Sequence, residues 1–226
     1  MTEQSGVEIT YRNGREAEVY SIVESLGGGT GACDYDRDGR QDLFFTGGGH
    51  FEGRMLSGVP SKLFRNVTGE RFEEVSEAAR LAAPHTYTQG CCIGDYDGDG
   101  FADVLVTGYA GLQLLRNCGD GTFEELARQA GLTDTLWSSS AAFGDFNGDG
   151  ATDLYVTHYV DWSFENDPVC PSPWPQQDRD VCPPRAFQGL PDTLYYSQGD
   201  GTFRDVSAEA GLRGDGKGLG VIVTDF

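Results

Sequence analysis

Three segments of the chain place carboxylates at a spacing that suits a hard cation. They read Asp34-Tyr35-Asp36-Arg37-Asp38-Gly39-Arg40-Gln41-Asp42, then Asp95-Tyr96-Asp97-Gly98-Asp99-Gly100-Phe101-Ala102-Asp103, then Asp145-Phe146-Asn147-Gly148-Asp149-Gly150-Ala151-Thr152-Asp153. With the first Asp as position 1, side-chain oxygens fall at positions 1, 3, 5 and 9. The backbone carbonyl of Arg40, Phe101 or Ala151 is available at position 7. Ca²⁺ takes about six to eight oxygen ligands in a flexible cage, whereas Mg²⁺ demands a compact octahedron and keeps its waters, so Ca²⁺ is the expected ion. Glycine at position 6 (Gly39, Gly100, Gly150) permits the sharp turn that aims the early carboxylates inward. Asn147 at position 3 of the third loop keeps an oxygen at lower charge. The pattern is not an EF-hand, because position 12 is Phe45, Val106 or Val156 instead of a bidentate Glu. A single Asp-Gly cluster is as readily a turn as a site. Three in register, each closed by an Asp ahead of a strand-like run, argue for three ion sites.

The elements that must position these loops recur with them. β-rich runs follow at Leu43–Thr46, Val104–Thr107 and Leu154–Thr157, and strand-like runs precede the second and third loops at Gln89–Ile93 and Ser140–Phe143. A second element follows each copy: Leu63-Phe64-Arg65-Asn66, Leu114-Leu115-Arg116-Asn117 and Leu194-Tyr195-Tyr196-Ser197. Each runs through a Gly-containing turn to Phe72, Phe123 or Phe203. From that Phe to the next Asp loop the steps are 23, 22 and 22 residues, but from loop to Phe they are 38, 28 and 58. One half of the unit is rigid in length and the other accepts insertions, which maps the insertions to loops on one face. A unit of about 50 residues with about four strands has the size of a propeller blade. The reading is an all-β partial propeller of about three and a half four-stranded blades. Its repeats are 34–94, 95–144 and 145–224, the third carrying a Cys- and Pro-rich insertion at about 160–191, and 225–226 begins a fourth.

Composition narrows the function classes. The formal charge is −20, with 36 Asp and Glu against 16 Lys and Arg, which repels a phosphate backbone and excludes a nucleic-acid partner. No run approaches the roughly 20 apolar residues of a membrane span. The N-terminus lacks the basic and apolar regions of a secretory signal, so the chain as it stands reads as cytoplasmic, or as extracellular if a signal has been removed. Gly27-Gly28-Gly29-Thr30-Gly31 lacks the Lys and following helix of a phosphate loop. His50, His85 and His158 stand beside no nucleophile motif, and the chain carries no standard catalytic motif. Asn66-Val67-Thr68 is a glycosylation acceptor only in a glycosylating host. Within the insertion, Cys170 and Cys182 suit a local disulfide in an oxidising compartment. Cys91 and Cys92 are adjacent in an inner strand, with one expected to face the core, while Cys33 and Cys118 read as small buried or turn residues.

The Asp loops between strands resemble the FG-GAP/VCBS repeats of integrin α-subunit propellers and many bacterial proteins. The chain is most similar to the ASPIC/UnbV, cartilage-acidic-protein-like group. That resemblance is carried by Glu24-Ser25-Leu26-Gly27-Gly28-Gly29, by the Leu-Tyr-x-x-x-Gly-Asp-Gly-Thr-Phe run ending at Phe203, and by Phe187-Gln188-Gly189-Leu190-Pro191-Asp192 after the insertion. It implies a seven-bladed propeller with Ca²⁺ in its blade loops, and some bacterial members carry an association with enediyne natural-product biosynthesis. The C-terminal ASPIC/UnbV segment is absent here.

The functional reading is a calcium-binding scaffold, with the insertion face meeting a protein or small-molecule partner. The alternative is an enzyme or accessory of enediyne-type biosynthesis. Gly218–Phe226 repeats the strand that leads into each Asp loop, with Asp225 at position 1 of a fourth loop. This makes the chain the N-terminal fragment of a longer polypeptide, whose C-terminal remainder is a partner sharing that fourth ion site. Cleavage after Phe226 is then expected, with calcium-dependent self-cleavage as the enzymatic possibility and Asp225 as its candidate participant.

Overall fold

The computed structural model describes residues 2–81 and 86–224, and its regular structure is almost entirely short strands. In chain order these are β1 (Arg12–Asn13), β2 (Thr30–Cys33), β3 (Asp42–Phe45), β4 (Gly48–Glu52), β5 (Met55–Gly58), β6 (Lys62–Asn66) and β7 (Phe72–Glu74). Next come β8 (Tyr87–Gly94), β9 (Asp103–Tyr109), β10 (Gly111–Asn117) and β11 (Phe123–Glu125). The last are β12 (Ser138–Gly144), β13 (Asp153–His158), β14 (Cys170–Pro171), β15 (Arg179–Asp180), β16 (Thr193–Ser197) and β17 (Phe203–Asp205). Three four-stranded antiparallel sheets repeat one up-and-down order: β2-β3-β6-β7, β8-β9-β10-β11 and β12-β13-β16-β17. These are propeller-like blades 1 to 3. Each opens on the strand before an Asp loop, so the folded unit is offset by one strand from repeats counted loop to loop.

The blades pack face to face. In β9 Val104 and Val106 join a core shared with Phe44 and Leu63 of blade 1, while Leu105 joins one shared with Leu154 and Val156 of blade 3. A middle blade is covered on both faces, which is why β9 reads as a continuous apolar run instead of an alternating one. The same geometry revises the expectation for the paired cysteines. Cys91 packs toward blade 1 and Cys92 toward blade 3, so each faces a core. Burial pushes the thiols of Cys33 and Cys91 up to about 12, so neither is a ready thiolate. Cys33 is buried and Cys118 exposed in its turn.

Blades meet through aromatics at loop position 2. Tyr35 stacks on Phe123 of the next blade at 6.1 Å between centroids, and Tyr96 on Phe203 at 5.8 Å. Near the inner strands Thr46, just after β3, and Thr107, within β9, tie neighbouring strands together. Thr46 Oγ1 donates to the Gln89 carbonyl (2.8 Å), and Gly90 N donates to Thr107 Oγ1 (3.0 Å). A side chain at Gly29 or Gly90 would run into the backbone of the adjoining strand, at 2.7 Å from Cys91 N and Ser139 O respectively. Only glycine permits that approach.

The insertions converge as the rigid and variable halves of the repeat required. Blade 2 closes β9 to β10 tightly around Tyr109 and Ala110. At the equivalent turn blade 1 carries the β4-β5 hairpin, and blade 3 carries residues 159–192. The two reach across blade 2: Phe51 meets Phe164 edge-on at 6.1 Å, and Tyr109 meets Trp162 at 5.2 Å. With Ile22, Val23, Trp137 and Tyr159 they form a third apolar core, a roof over one end of the blades. Cys170 and Cys182 are joined by a disulfide within this roof, with Cα atoms 5.3 Å apart. No helix among the described residues is long and apolar enough to cross a membrane.

Candidate metal centre

Each Asp loop is held open by its own backbone. The position-1 carboxylate accepts from the amides that follow the turn. Asp34 takes Asp38 N (2.9 Å) and Gly39 N (2.8 Å), Asp95 takes Gly100 N (2.9 Å), and Asp145 takes Gly148 N (2.7 Å) and Gly150 N (3.0 Å). The position-5 carboxylate accepts the amide of position 7, as in Asp38 from Arg40 (3.0 Å), Asp99 from Phe101 (3.0 Å) and Asp149 from Ala151 (2.8 Å). The position-6 glycines adopt φ of 85°, 89° and 88°, the left-handed conformation the turn needs. Position 4 is left-handed too, and there loop 1 holds Arg37 (φ 57°) where the others hold Gly98 and Gly148. The Arg37 guanidinium lies over the Phe101 ring of loop 2, 5.2 Å from its centroid.

Position 9 does something the spacing did not reveal. Asp42, Asp103 and Asp153 are wholly buried. One oxygen of each accepts the position-2 amide, from Tyr35 (3.1 Å), Tyr96 (3.1 Å) or Phe146 (2.9 Å). The other accepts from the third strand of the blade, at Asn66 N (2.7 Å), Asn117 N (2.8 Å) or Ser197 N (2.8 Å). These carboxylates clamp loop to sheet. Burial pushes the Asp42 acid above its ordinary range and the Asp103 acid up to about 7.

Two loops gather three carboxylates each, with one oxygen per residue inside a 4.8 Å span: Asp34, Asp36 and Asp42 in loop 1, and Asp95, Asp97 and Asp99 in loop 2. Asp36 Oδ1 and Asp95 Oδ1 are buried there with no hydrogen-bond partner. Loop 3 makes no such group among the described residues. Its Asn147 accepts Asp149 N (2.8 Å) and gives its own amide to Asp149 Oδ2 (2.8 Å), so its oxygens are matched internally. The sequence reading also missed two cations. Arg65 of β6 sits on Asp36 (Nε to Oδ2, 2.7 Å) and Asp38 (Nη2 to Oδ2, 3.4 Å). Arg116 of β10 sits on Asp97 (2.6 Å) and Asp99 (3.0 Å). In loop 1 Arg40 also pairs with Asp38. The only sequence signal was an Arg-Asn pair closing the second element of two repeats and missing from the third.

A model of the FG-GAP-like repeat matches residues 34–106 and 95–156, together more than half of the chain. The chain belongs to the FG-GAP-like repeat family. Both matches begin at an Asp loop and run through the next, so the family unit is the loop with the blade strands that hold it. No curated protein sequence matches the chain. Among solved structures, an Agrocybe aegerita lectin that recognises non-reducing terminal N-acetylglucosamine is 19% identical, with a TM-score of 0.39. The similarity covers 78% of this chain and 36% of that one, so the chain spans about a third of that lectin's length.

Other expected positions fall as follows. Asn66 is buried, with its amide on the Gln41 carbonyl (3.0 Å) and its oxygen accepting Gly69 N (2.6 Å), a turn-holding role that leaves no face for a glycan. His158 is buried in the base of the roof. Its Nδ1 meets the Pro191 carbonyl at 2.7 Å and its Nε2 meets Asp134, and its backbone amide donates to Asp192 (2.9 Å). Asp225, with the proposed fourth loop and the cleavage point, and His85 lie outside the described residues.

Proposed function

We propose that the protein is a calcium-binding propeller module that acts as an interaction scaffold, with the FG-GAP-like loops holding the ions and the roof meeting a partner. The observation that carries this is the pair of buried carboxylate oxygens without partners, Asp36 Oδ1 and Asp95 Oδ1, each within a three-carboxylate group. A buried acceptor left unmatched is costly, and a hard cation is what two or three converging carboxylates would satisfy. Asp34, Asp36 and Asp38 with Asp42 would hold the ion in loop 1, and Asp95, Asp97 and Asp99 with Asp103 in loop 2. Asp145, Asn147 and Asp149 with Asp153 make a lower-charge set in loop 3. The carbonyls of Arg40, Phe101 and Ala151 remain the position-7 ligands of this reading. A bound ion would neutralise loop carboxylates that otherwise repel one another, and would stiffen the edge of the blades.

The scaffold half of the reading rests on the roof, where long insertions from two blades pack into one surface. Trp174 and Val169 stand exposed in the disulfide-bonded loop, 66% and 73% accessible, and Met55 in the neighbouring hairpin is 62% accessible. The natural-product alternative rests on the ASPIC/UnbV-like sequence motifs alone. The test of the calcium reading is direct. Titration calorimetry of the metal-stripped protein with Ca²⁺ should show saturable binding, and Asp36→Asn with Asp95→Asn should remove the part that belongs to loops 1 and 2. Heat absent up to millimolar Ca²⁺ would overturn the reading.

A further inference from the structure

Resting on that calcium reading, we propose that Arg65 and Arg116 set the ion affinity of loops 1 and 2, each acting as a tethered cation that props the empty loop and weakens the filled one. The two arginines occupy one place in the repeat. Arg65 faces Glu73 across β6-β7, and Arg116 faces Glu124 across β10-β11. From there each reaches the carboxylates at positions 3 and 5, in ion pairs of 2.6 to 3.4 Å. They take one oxygen of each pair. Asp36 gives Oδ2 to Arg65 while its Oδ1 stays buried and unpartnered. Asp97 gives Oδ2 to Arg116 while its Oδ1 accepts Asp99 N (3.2 Å), and the unpartnered buried oxygen of loop 2 is Asp95 Oδ1. An ion seated on the remaining oxygens would leave the guanidinium in place, one carboxylate away from a dication.

Two opposite effects follow from that placement. In the empty loop the arginine offsets the repulsion of carboxylates crowded within 4.8 Å and holds their side chains in position. In the filled loop the same charge repels the ion, weakening its binding by about three- to tenfold at low ionic strength. Blade 3 supplies the internal comparison. Tyr196 faces Arg204 at the equivalent register, and Arg204 turns away to pair with Glu209 at 2.6 Å. There Asp149 Oδ2 is met by the neutral amide of Asn147. Where the repeat lacks the arginine it also lacks the position-3 charge, so the two vary as a unit.

The test uses Arg65→Gln, Arg116→Gln and the double variant of the whole chain. It has two readouts: Ca²⁺ affinity by titration calorimetry at low salt, and thermal unfolding in EDTA. Each single variant should bind calcium about three- to tenfold more tightly at one loop, and high salt should erase the gain. In EDTA the same variants should melt earlier than the wild-type protein. A merely structural arginine would lower the melting point without tightening the ion. Unchanged or weaker binding in both variants overturns this inference alone. A wild-type protein that takes up no calcium overturns the calcium reading and this inference with it.

Discussion

Replacing Asp103 with alanine tells a clamp from an ion ligand. The carboxylate is fully buried and accepts two backbone amides, Tyr96 N at 3.1 Å in the loop and Asn117 N at 2.8 Å in β10. Alanine leaves both amides buried without an acceptor. Each such orphan costs about 1–3 kcal/mol, so the gross loss is about 2–6 kcal/mol. An opposing effect reduces it. Burial disfavours the charged form and pushes the Asp103 acid up to about 7, so deleting the group also releases a desolvation penalty. The net loss should fall in the lower part of the range, about 2–4 kcal/mol, which for a chain of this size lowers Tm by about 4–16 °C. Neither hydrogen bond involves an ion, so the loss should be complete in EDTA, read by thermal or urea unfolding. Asp95→Ala makes the control. It gives up one amide contact, to Gly100 N, and should cost little in EDTA while losing part of the stabilisation that Ca²⁺ would confer on the proposed site. An Asp103→Ala protein within about 1 kcal/mol of wild type in EDTA would refute the clamp, because it would put two orphaned buried amides below the usual cost.

Wild-type protein should melt later in millimolar Ca²⁺ than in EDTA, by about 2.7 kcal/mol per site when calcium is at 100 times its Kd. An unchanged midpoint would count against ion binding. Non-reduced digestion followed by mass spectrometry should show the Cys170 and Cys182 peptides joined, and reduction should cost about 2–4 kcal/mol. Two alkylated free thiols would disprove the bridge in the purified protein. Asp134→Asn should destabilise by about 3–5 kcal/mol, because it strips a buried pair from His158 and leaves that ring facing a neutral amide. Burial is the largest single influence and would raise the Asp134 acid, but the His158 bond and charge, with the backbone amides of Leu136 and Thr135, together outweigh it and hold the acid below its ordinary range. A lowered carboxylate acid stabilises the fold above its unfolded value near about 4 and loses that contribution as pH falls through the folded value. The wild-type protein should therefore lose stability below about pH 4 more steeply than Asp134→Asn, and parallel pH profiles would contradict the pairing.

The Asp spacing, the position-6 glycines and the strand-turn alternation are local features, and local features are legible in one sequence. The repeat length gave the four-stranded blade, and the contrast between constant and variable steps placed the insertions at one turn. The spacing showed where the loop residues sit around each turn, but not that position 9 also ties the loop to the sheet. A carboxylate at position 9 looks like any other ligand in the sequence. Its clamp role appears only when β6, β10 or β16 brings a backbone amide to its second oxygen. Arg116 lies 19 residues beyond Asp97, and hairpin register alone brings them together.

By itself the sequence determined that this is a repeat-built β chain with acidic turns, because backbone propensity, glycine conformation and charge act over a few residues. Only the tertiary structure decided which oxygens are already matched and which stand alone. It also decided that both faces of β9 are buried, that Cys91 and Cys92 serve different cores, and that insertions from blades 1 and 3 meet over blade 2. The physical reason is the same in each case. Burial and pairing depend on what a neighbouring strand or blade presents across a gap of a few ångströms, and that neighbour is distant along the chain.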